Sequence, residues 1–151
     1  MPHFATSTQR ACYEQVKLWL EELFPQLIEP FVTLPVFSIK LGSAIATVEV
    51  MAWGETEAIV TTSSFVVTEA ETTPDLLHFL LRQNAESEFG VFSIDDLGNI
   101  RLHITVIGSN CDREKLHTAV TGVLAAADYF DDQIVARWGG KRALDRNFSR
   151  G

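Results

Sequence analysis

The segment from Phe89 to Trp138 constrains this chain more than any other, because it reads as a two-strand hairpin running straight into a long amphipathic helix. The predicted strands are Val91–Asp95 and Ile100–Gly108, joined by Asp95-Asp96-Leu97-Gly98-Asn99. In the second strand Ile100, Leu102, Ile104 and Val106 alternate with Arg101, His103 and Thr105, which gives the sheet one apolar face. The helix begins near Asp112 and ends at Gly139-Gly140, with Leu116, Ala119, Val120, Val123, Leu124, Ala127, Phe130, Ile134 and Trp138 on a single stripe. A one-faced sheet followed by a helix with one apolar stripe must stack the two, so the layers are α on β.

The preceding residues extend the same plan. A first helix is predicted from Ser7 to Leu27, with Val16, Trp19, Leu20, Leu23, Phe24 and Leu27 on its stripe and a stop or kink near Phe24, ahead of Pro25. Pro30 and Pro35 bound an extended connection. Strands follow at Val36–Leu41, Ala44–Trp53 and Ala58–Thr68, separated by turns at Gly42-Ser43 and Gly54–Glu57. Thr73-Pro74-Asp75 is a helix start, with an N-cap, proline at the first position and an acid in the first turn. The helix it opens runs to about Ala85 and is apolar nearly all round, through Leu76, Leu77, Phe79, Leu80 and Leu81, so it needs partners on two sides; a second copy of the chain is the simplest second one. The expected fold is α+β, a single antiparallel sheet of about five strands with helices on one face, in the order α-β-β-β-α-β-β-α. Residues 1–138 form one domain and residues 139–151 a basic C-terminal tail.

Charge and composition exclude several functions. The net charge of −8 opposes nucleic-acid binding, which needs a clustered basic surface. Residues 139–151 carry +3, leaving −11 on the body. No apolar run approaches the ~18 residues of a membrane span, and the N-terminus lacks the pattern of a signal peptide, so the expectation is a cytoplasmic protein. Cys12 and Cys111 are then free thiols; Cys111 falls at a helix start, where the dipole would lower a thiol pKa, but no neighbouring pattern marks a nucleophile.

Chemistry-bearing motifs are missing. No glycine-rich phosphate loop occurs, and His3, His78, His103 and His117 have no metal-ligand spacing. Asp95-Asp96 with Gly98-Asn99 reads as a β-turn rather than a calcium loop. Asp128, Asp131 and Asp132 resemble a paired-carboxylate site but are placed on the outer, solvated side of the last helix. Ser63-Ser64 sits mid-strand with no elbow around it. The expectation is therefore no catalytic, cofactor or metal site. Apolar excess remains: ten phenylalanines and three tryptophans, with Met51 and Trp53 on the side of their strand opposite the alanine/valine face, and Val36, Phe37 and Ile39 on an expected edge strand. These are scattered surface and core groups, a homodimer contact, or a peptide-binding surface.

The run from Leu76-Leu77 through Asn84, then Gly90-Val91-Phe92-Ser93-Ile94-Asp95, Gly98-Asn99-Ile100-Arg101-Leu102 and a final helix carrying Ala126-Ala127-Asp128 resembles YbjN-like proteins, above all their cyanobacterial members, which share the fold of type III secretion chaperones. The resemblance implies a homodimeric domain that binds segments of other proteins or acts in regulation, without known catalysis. Carried over by position, it puts Leu77, Phe79, Leu80 and Leu81 near the dimer contact and makes Val36, Phe37, Met51 and Trp53 candidates for an unidentified protein or peptide client. The acidic body would favour basic or unfolded partners. The alternative to a client is a small molecule sensed in a pocket between sheet and helices.

Overall fold

A computed structural model of the chain describes residues 1–87 and 90–145; Glu88, Phe89 and residues 146–151, with Arg146 and Arg150 of the basic tail, lie outside the described residues. The elements are α1 (Ser7–Leu23), β1 (Ile28–Pro30), β2 (Val36–Leu41), β3 (Ala44–Trp53), β4 (Glu57–Thr68), α2 (Pro74–Glu86), β5 (Val91–Ile94), β6 (Ile100–Ile107), α3 (Arg113–Trp138) and β7 (Lys141–Arg142). Short 3-10 turns at Gly108–Asn110 and Ala143–Asp145 complete them. The fold is α+β as expected, but the antiparallel sheet has seven strands, in the order β1-β2-β3-β4-β6-β5 with β7 also on β4. The two additions are the shortest strands, three and two residues, too brief to show a period.

The first of them changes what β2 is. Helix α1 is capped by the Thr6 hydroxyl on Gln9 N and ends at Leu23 rather than Leu27. Pro25 pushes Phe24 out of the helical region, and Gln26 then takes a left-handed turn at φ 67°. The chain reverses into β1, whose Ile28, Glu29 and Pro30 pair with Ile39, Ser38 and Phe37. Strand β2 is thus interior to the sheet, and its Val36, Phe37 and Ile39 are buried rather than edge-exposed. Pro30 lacks an N–H, which an edge strand tolerates.

All three helices lie on one face of the sheet, over two apolar clusters. One joins Tyr13, Val16, Leu20 and Phe24 of α1 to Phe37, Ile39, Ala46, Val48 and Val50 and to the first half of α3. Phe37 is fully buried there and stacked on Tyr13 at 4.7 Å. The other joins Leu76 and Leu80 of α2 to Phe92, Ile100, Leu102 and the second half of α3. Helix α3 spans both clusters, capped by Asp112 on Lys115 N and closed at Gly139.

Helix α2 buries one side only within the chain. Leu76 and Leu80 are interior, Phe79 packs on Trp138 at 5.1 Å, and Leu77 and Leu81 face solvent. The Asn84 amide brackets Phe92 in β5: its Oδ1 accepts from Phe92 N at 2.7 Å, and its Nδ2 donates to Phe92 O at 3.1 Å. Beyond α3 the chain folds back. Gly140, at φ 86°, approaches β4 so closely that a Cβ would lie 2.5 Å from Thr68 O, and Lys141 and Arg142 then pair with Thr68 and Val67. Ion pairs from Lys141 to Glu69 and from Arg142 to Asp145 and Asp132 hold this return.

Candidate functional site

The site follows from how β4 runs out of partners. Strand β6 pairs with it from Ile59 to Val67, through a bulge between Phe65 and Val67. On its other edge β3 pairs with it only as far as Thr47↔Ser63, although β3 continues to pair with β2 up to Leu41↔Ala44. The tip of the β2–β3 hairpin therefore leaves β4, and β7 takes that edge again only at Val67 and Thr68. Where the strands part, the Ser64 hydroxyl donates to Ile45 O at 3.0 Å, taking the place of a backbone donor.

The gap is a cavity of about 770 Å³. Its walls are the hairpin tip from Leu41 to Ile45, Phe65 and Val66 of β4, Leu124 and Ala127 of α3, and Ala143 and Leu144. Phe31 and Val32, from the loop after β1, also line it; that loop exposes Phe31, Val32 and Leu34 to solvent. Among the described residues the charged members of the lining are Glu29, Asp128 and Asp131, with no lysine, arginine or histidine beside them.

Asp131 departs from expectation. It lies not on the solvated side of α3 but on its packed side, 2% exposed, and its Oδ1 has no hydrogen-bond partner among the described residues. Burial raises its pKa above the ordinary carboxylate value, and the charges of Asp132 and Asp128 add to the effect. A hydrogen bond from the Asp132 backbone opposes it and Arg142 does so more weakly, the Arg142 guanidinium being bonded to both carboxylate oxygens of Asp145, at 2.8 and 2.9 Å. Asp128 and Asp132 are exposed, as expected.

The outer face of the sheet is polar at its middle. Thr47 and Ser63 share a hydrogen bond at 2.9 Å, Arg101 Nη2 donates to Ser63 at 2.6 Å, and Thr61 bonds Thr105 at 3.0 Å. Burial and Arg101 lower the pKa of His103 there. At the far end of this face Met51, Ile59 and Ile107 sit side by side in register, next to Trp53 at 56% exposure.

Of the expected client residues, then, Met51 and Trp53 are on the surface, while Val36 and Phe37 are interior. Of the expected dimer residues, Leu77 and Leu81 are on the surface, Phe79 is half-buried and Leu80 is interior. These positions do not form one patch with the cavity, whose lining contains none of them. A pocket between sheet and helices was expected only as an alternative and without lining residues, and Asp131 was placed on the solvated side of its helix. The signal for Asp131 was present: it is the four-residue step after Ala127 and three before Ile134, on the buried stripe.

Other chemistry is accounted for structurally. The Asp95 carboxylate accepts from Leu97 N and Asn99 N at 2.9 Å each, which makes the β-turn and holds its pKa low. Cys12 and Cys111 are free, and burial pushes the Cys111 thiol up to about 11, overriding the dipole at the helix start. Among the described residues no three His, Cys, Asp or Glu side chains are grouped to hold a metal, and no helix is long and apolar enough to cross a membrane.

Three comparisons with known proteins bear on this geometry. A family model described as T3SS (YopN, CesT) and YbjN peptide-binding chaperone 1 matches residues 15–146. No curated protein is significantly similar in sequence. Among solved structures, a chain from the crystal structure of the ExsC-ExsE complex superposes with a TM-score of 0.64 at 16% identity, covering 81% of this chain and 95% of its own length. A chain from the structure of the HopA1-SchA chaperone-effector complex superposes with a TM-score of 0.63 at 8% identity, covering 80% of this chain and 94% of its own. At such identities the likeness is one of fold.

Proposed function

Because the chain belongs to the family of T3SS (YopN, CesT) and YbjN peptide-binding chaperones, we propose that it is a non-enzymatic binding module that holds an extended segment of a client protein in the cleft beside β4. The observation that carries this reading is the cavity of about 770 Å³ where β3 leaves β4, with the exposed apolar loop Phe31–Leu34 beside it. Capture by strand addition is the weaker route. Strand β1 offers three residues ending in Pro30, and Asn84 already occupies both backbone groups of Phe92 in β5. Apolar side chains entering the cleft would supply affinity by burial. From Ile45 to Met51 along β3 is roughly 20 Å, at ~3.4 Å per residue, so a client of about seven extended residues could reach from the cleft to the Met51–Ile107 patch. The test is to fill the cleft with Ala44→Trp or Ala127→Phe and to measure capture from a random peptide library. Loss of capture at an unchanged melting temperature is expected; undiminished capture by a folded, filled variant would defeat the reading.

The same surface logic supports a homodimer through α2, where Leu77 and Leu81 are exposed at 42% and 68%. Light scattering should give a dimer for wild type and a folded monomer for Leu81→Asp. Leu80 is unsuitable for this test, being interior. A monomeric wild type would end the dimer proposal. The free thiols of Cys12 and Cys111 favour a cytoplasmic setting. The cavity's size also supports a second reading, a regulator that senses a small molecule, since ligand pockets are typically ~300–1,000 Å³. A metabolite that raises the melting temperature in proportion to its concentration would favour that reading over the first.

A further inference from the structure

We propose that the cleft beside β4 selects client segments carrying a lysine or arginine between apolar residues, with the cationic group seated against Asp131 and Asp128. The proposal rests on the client-binding reading and specifies the chemistry of what is bound.

Three observations carry it. The first is the charge of the lining: Glu29, Asp128 and Asp131 stand among apolar walls, with no basic group in the lining among the described residues. Apolar walls that carry three acids repel acidic segments and leave a purely apolar one beside uncompensated charge. A long basic side chain satisfies both parts, its methylene stem against Leu124 or Phe65 and its charged end at the carboxylates.

The second is the state of Asp131. It is more than nine-tenths buried, forms part of the cavity wall, and has an oxygen with no donor among the described residues. A buried carboxyl oxygen left without a partner costs stability, and an arriving ammonium or guanidinium provides the missing donor. Gln9 shows the contrast within the same molecule. It is equally buried, but its Nε2 donates to Val50 O at 2.9 Å and its Oε1 accepts from Ala5 N at 2.7 Å.

The third is that Arg142, whose charge acts on Asp131, is already committed. Arg142 Nε and Nη2 donate to Asp145, and its Nη1 lies 3.6 Å from Asp132, so this guanidinium is held by two other acids. Burial, together with Asp132 and Asp128, also raises the pKa of Asp131, a penalty that a bound cation would reverse.

The experiment is selection from an mRNA-displayed library of random decapeptides on immobilised wild type and on Asp131→Asn. The highest-enriched peptide is then synthesised with its central basic residue kept or replaced by norleucine, and both are titrated by fluorescence anisotropy. Wild type should enrich lysine or arginine flanked by apolar residues and bind the norleucine peptide at least tenfold more weakly. Asp131→Asn should bind the two peptides within about twofold of each other, at an unchanged or higher melting temperature. Glu86→Gln, an exposed acid on α2 outside the cavity, should keep the full preference. Equal binding of both peptides by wild type, or a basic preference that persists in Asp131→Asn, would overturn the proposal. Enrichment of apolar peptides without basic residues would overturn it while leaving the client-binding reading in place. A wild type that enriches no peptide would overturn both.

Discussion

The two apolar clusters under the helices differ in finish. Beneath α1 the buried Gln9 is hydrogen-bonded at both ends of its amide, and the cluster there includes Val16, Leu20, Phe37, Ile39 and Val48, all fully buried. Beneath the second half of α3, Asp131 and Thr68 each keep an oxygen without a partner among the described residues, and the sheet opens beside them. Both clusters share α3 and the same sheet, so neither helix propensity nor strand composition explains the contrast. It arises from pairing: β3 stays on β2 and gives up β4 after Thr47, while β7 returns only at Val67. One half of the molecule is built to be folded, and the other keeps free-energy costs that a bound partner can offset.

The contrast is sharpest at Phe37. Its replacement by alanine would remove a fully buried ring from the finished cluster and should cost about 3–5 kcal/mol, read as a lower midpoint in urea. A cost near 1 kcal/mol would mean that the α1 half is looser than its packing indicates. The next effect in size is on the return of the chain. Gly140→Ala places a methyl group against Thr68 O and Ala70 N and should cost about 1–3 kcal/mol, with loss of hydrogen-exchange protection around Lys141 and Arg142. Unchanged protection there would show that β7 does not depend on that close approach.

Asp131→Asn should act in the opposite direction. Because the folded state raises the Asp131 pKa, the group favours folding while protonated in both states, at pH values below its unfolded pKa of about 3.9. That contribution is lost as pH rises through the folded pKa, so the variant should gain on wild type from about pH 4 upward and be the more stable protein at pH 7. A stability difference independent of pH would break the comparison, because Asp131 would then not be titrating from a buried position. Smallest of all should be Trp53→Ala, a surface change at the far end of the outer face, within about 0.5 kcal/mol of wild type. A larger loss would make that tryptophan part of the folding core.

These positions also mark where the sequence was legible. Most long periodic elements were read within a residue or two: β2 and β3 begin and end as expected, and Thr73 and Asp112 cap their helices, whereas α1 stops at Leu23, four residues short of the expected Leu27. What escaped was either too short to show a period, as β1 and β7 were, or decided by pairing between distant segments. Misplacing β2 at the edge made Phe37 and Val36 look like surface, and only the turn at Gln26 corrects that. Met51 and Trp53 were read correctly as outward because strand alternation alone decides them. Asp131 was misread because an acid was assumed to face water, although its position along α3 lay on the buried stripe. The cavity had no local signal, since it exists only where two strands that do pair stop pairing.

The bracket that Asn84 places around Phe92 has a consequence for how this protein behaves at high concentration. A sheet with two free edges can recruit further strands and grow into a fibre. Here one edge is a three-residue strand ending in an imino acid, and the middle of the other is covered by a side chain that imitates a neighbouring backbone. Growth is stopped at both ends, so a molecule that carries a standing apolar opening can do so without templating its own polymerisation.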